Sequence, residues 1–399
     1  RLTERKWARS VGGNRLATTY GYNAFGQLET ADYADTTPDA SITYDRLGRT
    51  YSVGNGVAGS IYAYDPATLR LDTETISYDL NGDSTADFTR VLDRSRDTYL
   101  RISGWQLKDG TTVENEVEYR YDTAGRFGEI ESPAGVFTYG YTPGSNLIET
   151  VTGPAHTVTN TWEPNRDVLS LKENQVGTTT ISSYGYNVNA IGQRTAASQQ
   201  GSAFASSRTW AWGYDALGQV TSADHSTDNA FDRAYQYDSI GNRQFQQAGA
   251  TSVPTDTEGE IEPNAGTTIY AANALNQYAG TGAISGALVA DPVFDDDGNM
   301  EIGPLSGTGG SSANHLKWDA ENRLVEVRAA DDTTVIATYL YDAQSRRIAK
   351  TAGGDITLFV YDGWNPVSEY SYTALPAPSS TLAKSHTWGL DLSDSLQGA

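Results

Sequence analysis

The sequence predicts an all-β fold, an array of antiparallel β-hairpins that forms a continuous curved strip or partial shell. Three observations predict it. A short unit close to Tyr-x-Tyr-Asp-x-x-Gly recurs along the chain. The 25 tyrosines favour strands, and the 40 glycines supply the tight turns between them. Segments with apolar residues at the 3.6-residue period of a helix are few, so helix should be minor.

Copies of the unit are clearest at 20–50, 119–145, 184–243 and 294–364, and looser near 50–118, 142–180 and 250–315. Adjacent copies lie roughly 20 residues apart, which is the length of a hairpin. In two copies Asn322 and Ser345 take the glycine place. We therefore predict a single repeat array over 1–399. The residues assigned to the structural repeat are Tyr44, Asp45, Gly48, Tyr121, Asp122, Gly125, Tyr214, Asp215, Gly218, Tyr237, Asp238, Gly241, Tyr341 and Asp342.

Each residue type of the unit has a physical role in a hairpin. The two tyrosines lie on one face of a strand, because side chains alternate with a period of two. The aspartate accepts hydrogen bonds from backbone N–H groups two or three residues further on, which starts a turn. The glycine supplies the positive φ that a short loop with a bulge requires. Since one hairpin is marginal in water, neighbouring hairpins must stack to bury their aromatic faces.

Charge and composition exclude several function classes. There are 28 basic and 50 acidic residues, a net charge of −22, which argues against nucleic-acid and membrane-surface binding. No run approaches the roughly 20 apolar residues of a membrane span, so no membrane insertion is expected. The chain has no cysteine for disulfides or thiolate metal sites. It opens with Arg1 and shows no signal peptide, which suggests a processed product or part of a longer chain.

The copies resemble the YD repeat of Rhs proteins, which also occurs in teneurins and in the cocoon-forming subunits of insecticidal toxin complexes. The stretch 387–393, Thr-Trp-Gly-Leu-Asp-Leu-Ser, resembles one found late in bacterial Rhs repeat regions. The resemblance implies a β-strip that spirals into a hollow shell around a toxic or variable C-terminal segment, or that serves adhesion. It also implies a bacterial protein that is secreted or displayed at the cell surface.

The chain departs from the family in one respect. The core segment that follows the repeats in the family, with its self-cleaving aspartates, has no counterpart here, and neither has the toxin segment. Self-cleavage is therefore assigned to no residue. We expect a fragment of a longer Rhs chain, or a subunit that self-associates, because an unclosed strip exposes strand edges. The expected partners are other copies or the remaining parts of such a chain, with glycans as an alternative.

The sharpest local motif is an acidic loop with oxygen-bearing side chains at alternating positions: Asp79, Asn81, Asp83 and Asp87. This spacing resembles a calcium loop of the EF-hand or dockerin kind. Ser84 stands where the turning glycine is expected, and Arg90 where the bidentate glutamate is expected. The alternative is a hairpin turn rich in Asp and Asn. Calcium is thus the one cofactor that the sequence suggests, and no cofactor is certain.

The sequence offers no catalytic residue. Its four histidines, His156, His225, His315 and His386, lie in neither a Gly-x-Ser-x-Gly nor a His-Glu-x-x-His motif. The leading hypothesis is a structural, encapsulating or surface-interaction β-scaffold, a shell wall or fibre. One alternative is a carbohydrate-binding or polysaccharide-degrading protein (a lyase or hydrolase), since carboxylates and aromatic residues are plentiful. The other is a calcium-dependent adhesin module.

Overall fold

The computed structural model describes residues 1–264, 266–283, 292–303, 313–374 and 378–390. Within these ranges the chain folds into β-strands, and the single helix is one 3₁₀ turn, Asn229–Phe231. The all-β architecture of antiparallel hairpins that the sequence predicts is therefore confirmed. No helix in the described part of the chain has the length and hydropathy to cross a membrane. Residues 391–393 of the late stretch noted above lie outside the described ranges.

Consecutive strands pair with one another. The antiparallel pairs of neighbours form three runs. They extend from β1–β2 to β9–β10, from β12–β13 to β22–β23, and from β25–β26 to β31–β32. Strands β1–β23 belong to one sheet and β24–β32 to a second. The first ten strands are β1 (Glu4–Val11), β2 (Asn14–Tyr22), β3 (Leu28–Tyr33), β4 (Ala40–Tyr44), β5 (Thr50–Gly54), β6 (Ala58–Tyr64), β7 (Leu71–Tyr78), β8 (Phe88–Arg96), β9 (Ile102–Asp109) and β10 (Thr112–Tyr121).

The remaining strands continue the same pattern of short hairpins. The strands from the middle of the chain are β11 (Phe127–Ser132), β12 (Gly135–Tyr141), β13 (Ile148–Thr152), β14 (Thr157–Trp162), β15 (Leu169–Val176), β16 (Thr179–Val188), β17 (Arg194–Gln200), β18 (Arg208–Tyr214), β19 (Val220–His225), β20 (Arg233–Tyr237), β21 (Arg243–Ala248), β22 (Thr267–Ala272) and β23 (Tyr278–Ala283). The strands of the second sheet are β24 (Val293–Phe294), β25 (Met300–Gly303), β26 (Asn314–Trp318), β27 (Leu324–Arg328), β28 (Val335–Tyr341), β29 (Arg347–Ala352), β30 (Asp355–Asp362), β31 (Asn365–Thr373) and β32 (Ser379–Ser385).

The chain forms two compact units. Unit 1 comprises residues 1–120, 130–134 and 294–399, and unit 2 comprises 121–129 and 135–293.

In unit 1 the strands β1–β10 pack against the nine-stranded sheet. The Tyr78 hydroxyl donates to the Phe359 carbonyl at 2.7 Å, and the Asn55 amide donates to the Tyr341 carbonyl at 2.8 Å. Phe88 stacks on Tyr78 with ring centroids 5.3 Å apart and meets Tyr370 edge-on at 5.1 Å. Strand β8 alternates buried and partly exposed residues, as expected for a strand with one face in a core. Unit 1 thus has a two-layer core.

Unit 2 has a thinner core. Its buried apolar side chains, among the described residues, are Phe127 and the small alanines Ala197, Ala223 and Ala234. Larger aromatic residues pack at its surface, where the Trp210 ring lies 6.5 Å from that of Trp212 and nearly parallel to it.

Candidate functional site

The repeated turn has the same geometry in copy after copy. Asp45 Oδ1 accepts the backbone N–H groups of Leu47 (2.8 Å) and Arg49 (2.9 Å), and Asp45 Oδ2 accepts Arg49 Nε at 2.7 Å. Gly48 has a φ of 78°, and the strand register shifts at Tyr44, as in a three-residue loop that ends in a bulge. The same acceptor pattern recurs at Asp122, Asp215, Asp238, Asp319 and Asp342.

The glycine place takes a left-handed backbone whatever residue occupies it. Gly125, Gly218 and Gly241 have φ values of 82°, 83° and 94°. Asn322 and Ser345, which replace glycine in two copies, have φ values of 58° and 65°. The turn therefore imposes its geometry on Ser345 although serine has no special preference for it.

The side chain that follows the glycine reaches forward to the next hairpin. Arg49 Nη1 donates to the Leu69 carbonyl at 2.9 Å, and the Arg49 guanidinium lies 4.0 Å from the centre of the Tyr64 ring. Each contact thus combines a hydrogen bond to a turn with a cation–π contact to the next aromatic residue. The equivalent pairs are Arg126 with Ser145 and Tyr141, Arg323 with Asp342 and Tyr341, and Arg346 with Gly363 and Tyr361.

The tyrosine before the aspartate reaches backward. Tyr44 donates its hydroxyl proton to the Leu28 carbonyl of the preceding hairpin at 2.8 Å. Trp162 and Trp318 fill the tyrosine place in two copies, and their indole Nε1 makes the same bond. We call the backward aromatic bond and the forward bond together the inter-hairpin clasp. The other backward bonds are made by Tyr64, Tyr141, Tyr214, Tyr237, Tyr341 and Tyr361 to Thr50, Phe127, Arg194, Val220, Leu324 and Arg347.

The turn aspartates make the repeat sensitive to acid. Partial burial acts to raise the pKa of Asp122, but hydrogen bonds from the backbone N–H and guanidinium of Arg126 outweigh it, so this pKa lies below its ordinary 3.8. The pKa values of Asp45, Asp97 and Asp238 are also lowered. A carboxyl group whose pKa is lower in the folded than in the unfolded state stabilises the fold at pH values above its unfolded-state pKa. This stability is lost as the pH falls toward the folded-state pKa.

We therefore expect the urea midpoint to fall as the pH drops below about 4, since protonation removes the charge that Arg126 binds. Asp122→Asn retains an oxygen at the turn but cannot be protonated in this range. Its urea midpoint should be lower than that of the wild type at pH 7 and should decline less steeply below pH 4. Parallel pH profiles of the two proteins would contradict the assignment.

The structure shows turns of this kind in 50–118, where the sequence pattern is loose. Asp97 Oδ1 accepts the N–H groups of Tyr99 (2.9 Å) and Arg101 (3.0 Å), and Asp97 Oδ2 accepts Arg101 Nε at 2.7 Å. Leu100 occupies the glycine place with a φ of 64°, and Leu69, in a loop that is one residue longer, has a φ of 61°. An aspartate followed four residues later by arginine would have identified the Asp97 turn without any glycine.

Leu100→Gly should raise the free energy of unfolding by about 1 kcal/mol, because a left-handed backbone costs about 1–2 kcal/mol in residues other than glycine. The matched reverse change is Gly192→Ala. Gly192 has a φ of +88°, and an added Cβ meets nothing within 4 Å, so this change isolates the backbone strain. It should lower the free energy of unfolding by about 1 kcal/mol. Urea denaturation measures both, and a loss of stability in Leu100→Gly would contradict the prediction.

Several of the turns also expose a large apolar side chain, a feature that the sequence analysis missed. It lies two residues after the aspartate or asparagine. Leu217 is 74% exposed, and Ile240 in the next hairpin is 73% exposed. A search for apolar residues at one fixed turn position would have found them. The residues of this kind, which we call the turn tips, are Phe25, Leu47, Tyr99, Ile191, Leu217, Ile240 and Leu275.

The acidic loop that suggested calcium uses its oxygens on its own backbone. Asp79 Oδ1 and Oδ2 accept the N–H groups of Gly82 and Ser84, both at 2.7 Å. This is the arrangement of an Asp-rich turn, the alternative considered above. The described part of the chain contains no group of three or more His, Asp or Glu placed to hold a metal ion. The other oxygens are those of Asn81, Asp83 and Asp87, which accept the N–H groups of Asp83, Thr85 and Leu80.

Calcium at this loop stays a prediction. Binding would require the carboxylates to exchange backbone N–H partners for the ion. Calorimetry of chelator-treated protein tests it against Asp79→Asn, in which one ligand charge is removed. Heat at millimolar calcium that Asp79→Asn abolishes would support the site, and the absence of heat would end the idea.

Two of the histidines, His225 and His386, make structural contacts. The buried His225 ring meets Trp210 edge-on at 4.7 Å, and His225 Nδ1 accepts the Asp228 N–H at 3.1 Å. His386 Nε2 lies 2.9 Å from Glu369 Oε1. These contacts hold loops and strand ends together, and they suggest no catalytic pairing.

Unit 1 contains a buried cluster of charges, which we call the ion network. Arg94 Nη2 donates to Glu74 Oε2 at 3.0 Å and to Asp362 Oδ1 at 2.7 Å. Arg346 Nε donates to Asp342 Oδ2 at 2.7 Å and belongs to the same cluster. Burial acts to lower the pKa of Arg94, but the charges of Asp362 and Glu74 outweigh it and raise the pKa. Burial likewise acts to lower the pKa of Arg346, but the charges of Asp342 and Glu74 outweigh it and raise the pKa, so both guanidinium groups stay charged within the fold.

No protein-family model matches the chain. Over 178 residues it is 28% identical to the tRNA3(Ser)-specific nuclease WapA of Bacillus spizizenii and to the tRNA nuclease WapA of Bacillus subtilis strain 168. The match covers 44% of this chain and 6% of each relative. The crystal structure of TcdB2-TccC3 is similar at a TM-score of 0.42 and 11% identity, over 96% of this chain and 26% of that one.

The chain therefore spans a small fraction of the relatives that it matches. The similarity to the two WapA proteins is one of amino-acid sequence and extends over less than half of this chain.

Proposed function

We propose that this chain is a structural β-scaffold of the Rhs YD-repeat type, a segment of shell wall or fibre. The inter-hairpin clasp carries the proposal. The repeat consists of the aromatic residue, the aspartate and the residue after the glycine. Their side chains form hydrogen bonds within their own hairpin or to the neighbouring hairpins. A sequence that repeats such contacts for hundreds of residues is suited to building an extended wall.

The turn tips supply the interaction surface of this scaffold. Gln193 Nε2 donates to the Gly218 carbonyl of the next turn at 3.4 Å, so consecutive turns in unit 2 lie side by side. Their apolar side chains consequently form a row exposed to water, and such rows favour association with a second surface. The partners that we propose are other copies of this chain or the remaining parts of a longer Rhs chain, in a secreted or cell-surface setting.

Electron microscopy of the purified chain, combined with light scattering over a concentration series, tests the assembly. We expect particles, fibres or strips larger than one chain. The triple variant Ile191→Ser, Leu217→Ser, Leu275→Ser should assemble at least tenfold more weakly. The matched control is Ala190→Ser, Ala216→Ser, Ala274→Ser, at the exposed positions one residue earlier in the same turns. A wild-type monomer at every concentration, or equal assembly of both variants, would contradict the proposal.

The two alternatives from the sequence remain separate hypotheses. A calcium-dependent adhesin requires that chelation dissolve the assembly and that calcium restore it. A polysaccharide-degrading function requires turnover of a polymer such as a polyuronate. Neither result is expected from a scaffold.

A further inference from the structure

Unit 1 encloses a cavity of about 480 Å³. Volumes of roughly 300–1,000 Å³ are typical of small-molecule sites. Strands β4–β9 form one side of the cavity, and the two turns that contain Gln344 and Gly363 form the other. Aromatic and aliphatic side chains form much of the lining, namely Ile42, Tyr44, Val53, Tyr62, Tyr64 and Ile102. The cavity therefore suits a ligand whose body is apolar.

Three arginines, Arg94, Arg96 and Arg346, also line the cavity, and they differ in their partners. Arg94 and Arg346 belong to the ion network, where carboxylate oxygens accept their N–H groups at 2.7 to 3.0 Å. Arg96 forms no ion pair with the residues that the structure describes. Its single hydrogen bond among them runs from Nη2 to the Leu71 carbonyl at 3.2 Å. Arg96 is therefore a cation of the lining that no carboxylate holds.

The Arg96 guanidinium keeps a complete pair of donors for a ligand. A guanidinium has two such pairs, because Nη2 carries two N–H groups and presents one beside Nε and the other beside Nη1. The Leu71 bond uses one Nη2 N–H, so the other pair stays intact, and a carboxylate accepts such a pair through both of its oxygens. Because Arg96 is partly exposed and lines the cavity, these donors are open to a solute, whereas the free Nη1 of Arg94 is sealed from solvent.

The charges near Arg96 favour an anion. Burial lowers the pKa of Arg96, and the positive charges of Arg70 and Arg94 lower it further. The negative charges of Asp72 and Asp362 oppose this shift but do not cancel it. A bound anion would relieve the repulsion among the arginines. Since a single guanidinium is left to be compensated, a monoanion fits better than a dianion, whose second charge would be buried without a partner.

We infer that this cavity binds a small monocarboxylate with an apolar body. The carboxylate accepts the open pair of Arg96 donors through both oxygens, and the body packs on the tyrosine rings and aliphatic side chains. The inference is independent of the scaffold function, because it requires only unit 1 folded within the full chain.

The test is ligand-observed NMR and calorimetry of the full chain at neutral pH with phenylacetate and hexanoate. Each is compared with its uncharged amide, phenylacetamide or hexanamide, and phenyl phosphate serves as the dianion. At least one of the two carboxylates should bind saturably. It should bind about tenfold more tightly than its amide, since the amide keeps the body but lacks the charge and the second acceptor oxygen. It should also bind more tightly than phenyl phosphate.

Arg96→Gln removes the charge and the donor pair, and it should weaken carboxylate binding by about tenfold while leaving amide binding within about twofold. The matched control is Arg70→Gln. It removes the same charge from an exposed residue that lies near Arg96 but outside the cavity lining. Because the field of an exposed charge is screened by solvent, the control should weaken carboxylate binding by less than about threefold.

Circular dichroism and thermal melting establish that each variant is folded. The comparison of each carboxylate with its amide uses the wild type alone, so it tests the inference even if Arg96→Gln does not fold. The inference is overturned if neither carboxylate binds at about 10 mM, above the millimolar range of weak sites. It is also overturned if an amide binds as tightly as its carboxylate, if phenyl phosphate binds more tightly than both carboxylates, or if the folded Arg96→Gln protein binds as the wild type or the Arg70→Gln protein does.

Discussion

Replacing Arg94 with alanine is expected to lower the free energy of unfolding by about 3–5 kcal/mol, the cost of breaking a buried ion pair by removing one partner. Arg94 binds Glu74, whose side chain is 3% exposed, and Asp362, which is 20% exposed. Without the guanidinium, Glu74 retains the hydrogen bond from the Ser60 hydroxyl at 2.9 Å, but its remaining cationic partner, Arg346, is 3.9 Å away. The loss should appear in urea denaturation followed by tryptophan fluorescence.

The matched control is Arg120→Ala. Arg120 also forms ion pairs with two carboxylates, those of Glu118 and Glu131, but its side chain is 50% exposed. Exposed pairs contribute about 0–1 kcal/mol, so the control should change stability by no more than that. If the two substitutions cost the same, the ion network does not hold unit 1 together in the way that its burial implies.

The sequence predicts the local part of this fold well, because the chemistry of the turn is contained in five consecutive residues. Asp45, Gly48 and Arg49 meet one another whatever the rest of the chain does. The pattern did not predict the turn at Leu100, because this turn holds leucine in the left-handed conformation that glycine adopts with less strain. Local consistency thus makes the hairpins recognisable even where single positions deviate.

The contacts that join strands far apart in the sequence could not be predicted in this way. Arg94 and Asp362 are separated by 268 residues, and Tyr78 and Phe359 by 281. Nothing in a period of about 20 residues specifies which hairpins will lie against each other. Moreover, arginine on a strand predicts an exposed face, whereas burial of Arg94 depends on carboxylates contributed by other strands.

The clasp and the acidic loop show the same limit at shorter range. The pattern predicts that tyrosines line one face, but the acceptor of Tyr44, the Leu28 carbonyl, depends on the stagger between hairpins. The spacing of Asp79 and its neighbours suits both a calcium loop and a turn whose side-chain oxygens accept its own backbone N–H groups. The use of the Asp79 oxygens in the fold depends on where the N–H groups of Gly82 and Ser84 lie, and the spacing does not give those positions.

Tyr370→Ala should cost about 4 kcal/mol, as expected for removing a buried aromatic ring. Tyr370 is fully buried, lies edge-on to Phe88, and donates its hydroxyl to Glu114 Oε2 at 2.6 Å. Tyr370→Phe keeps the ring and loses only this bond, while Glu114 retains Arg90 at 2.6 Å, so its cost should be about 1–2 kcal/mol. Urea denaturation of the two variants separates packing from hydrogen bonding. Equal losses would mean that the hydroxyl, rather than the ring, anchors the nine-stranded sheet to β1–β10 in unit 1.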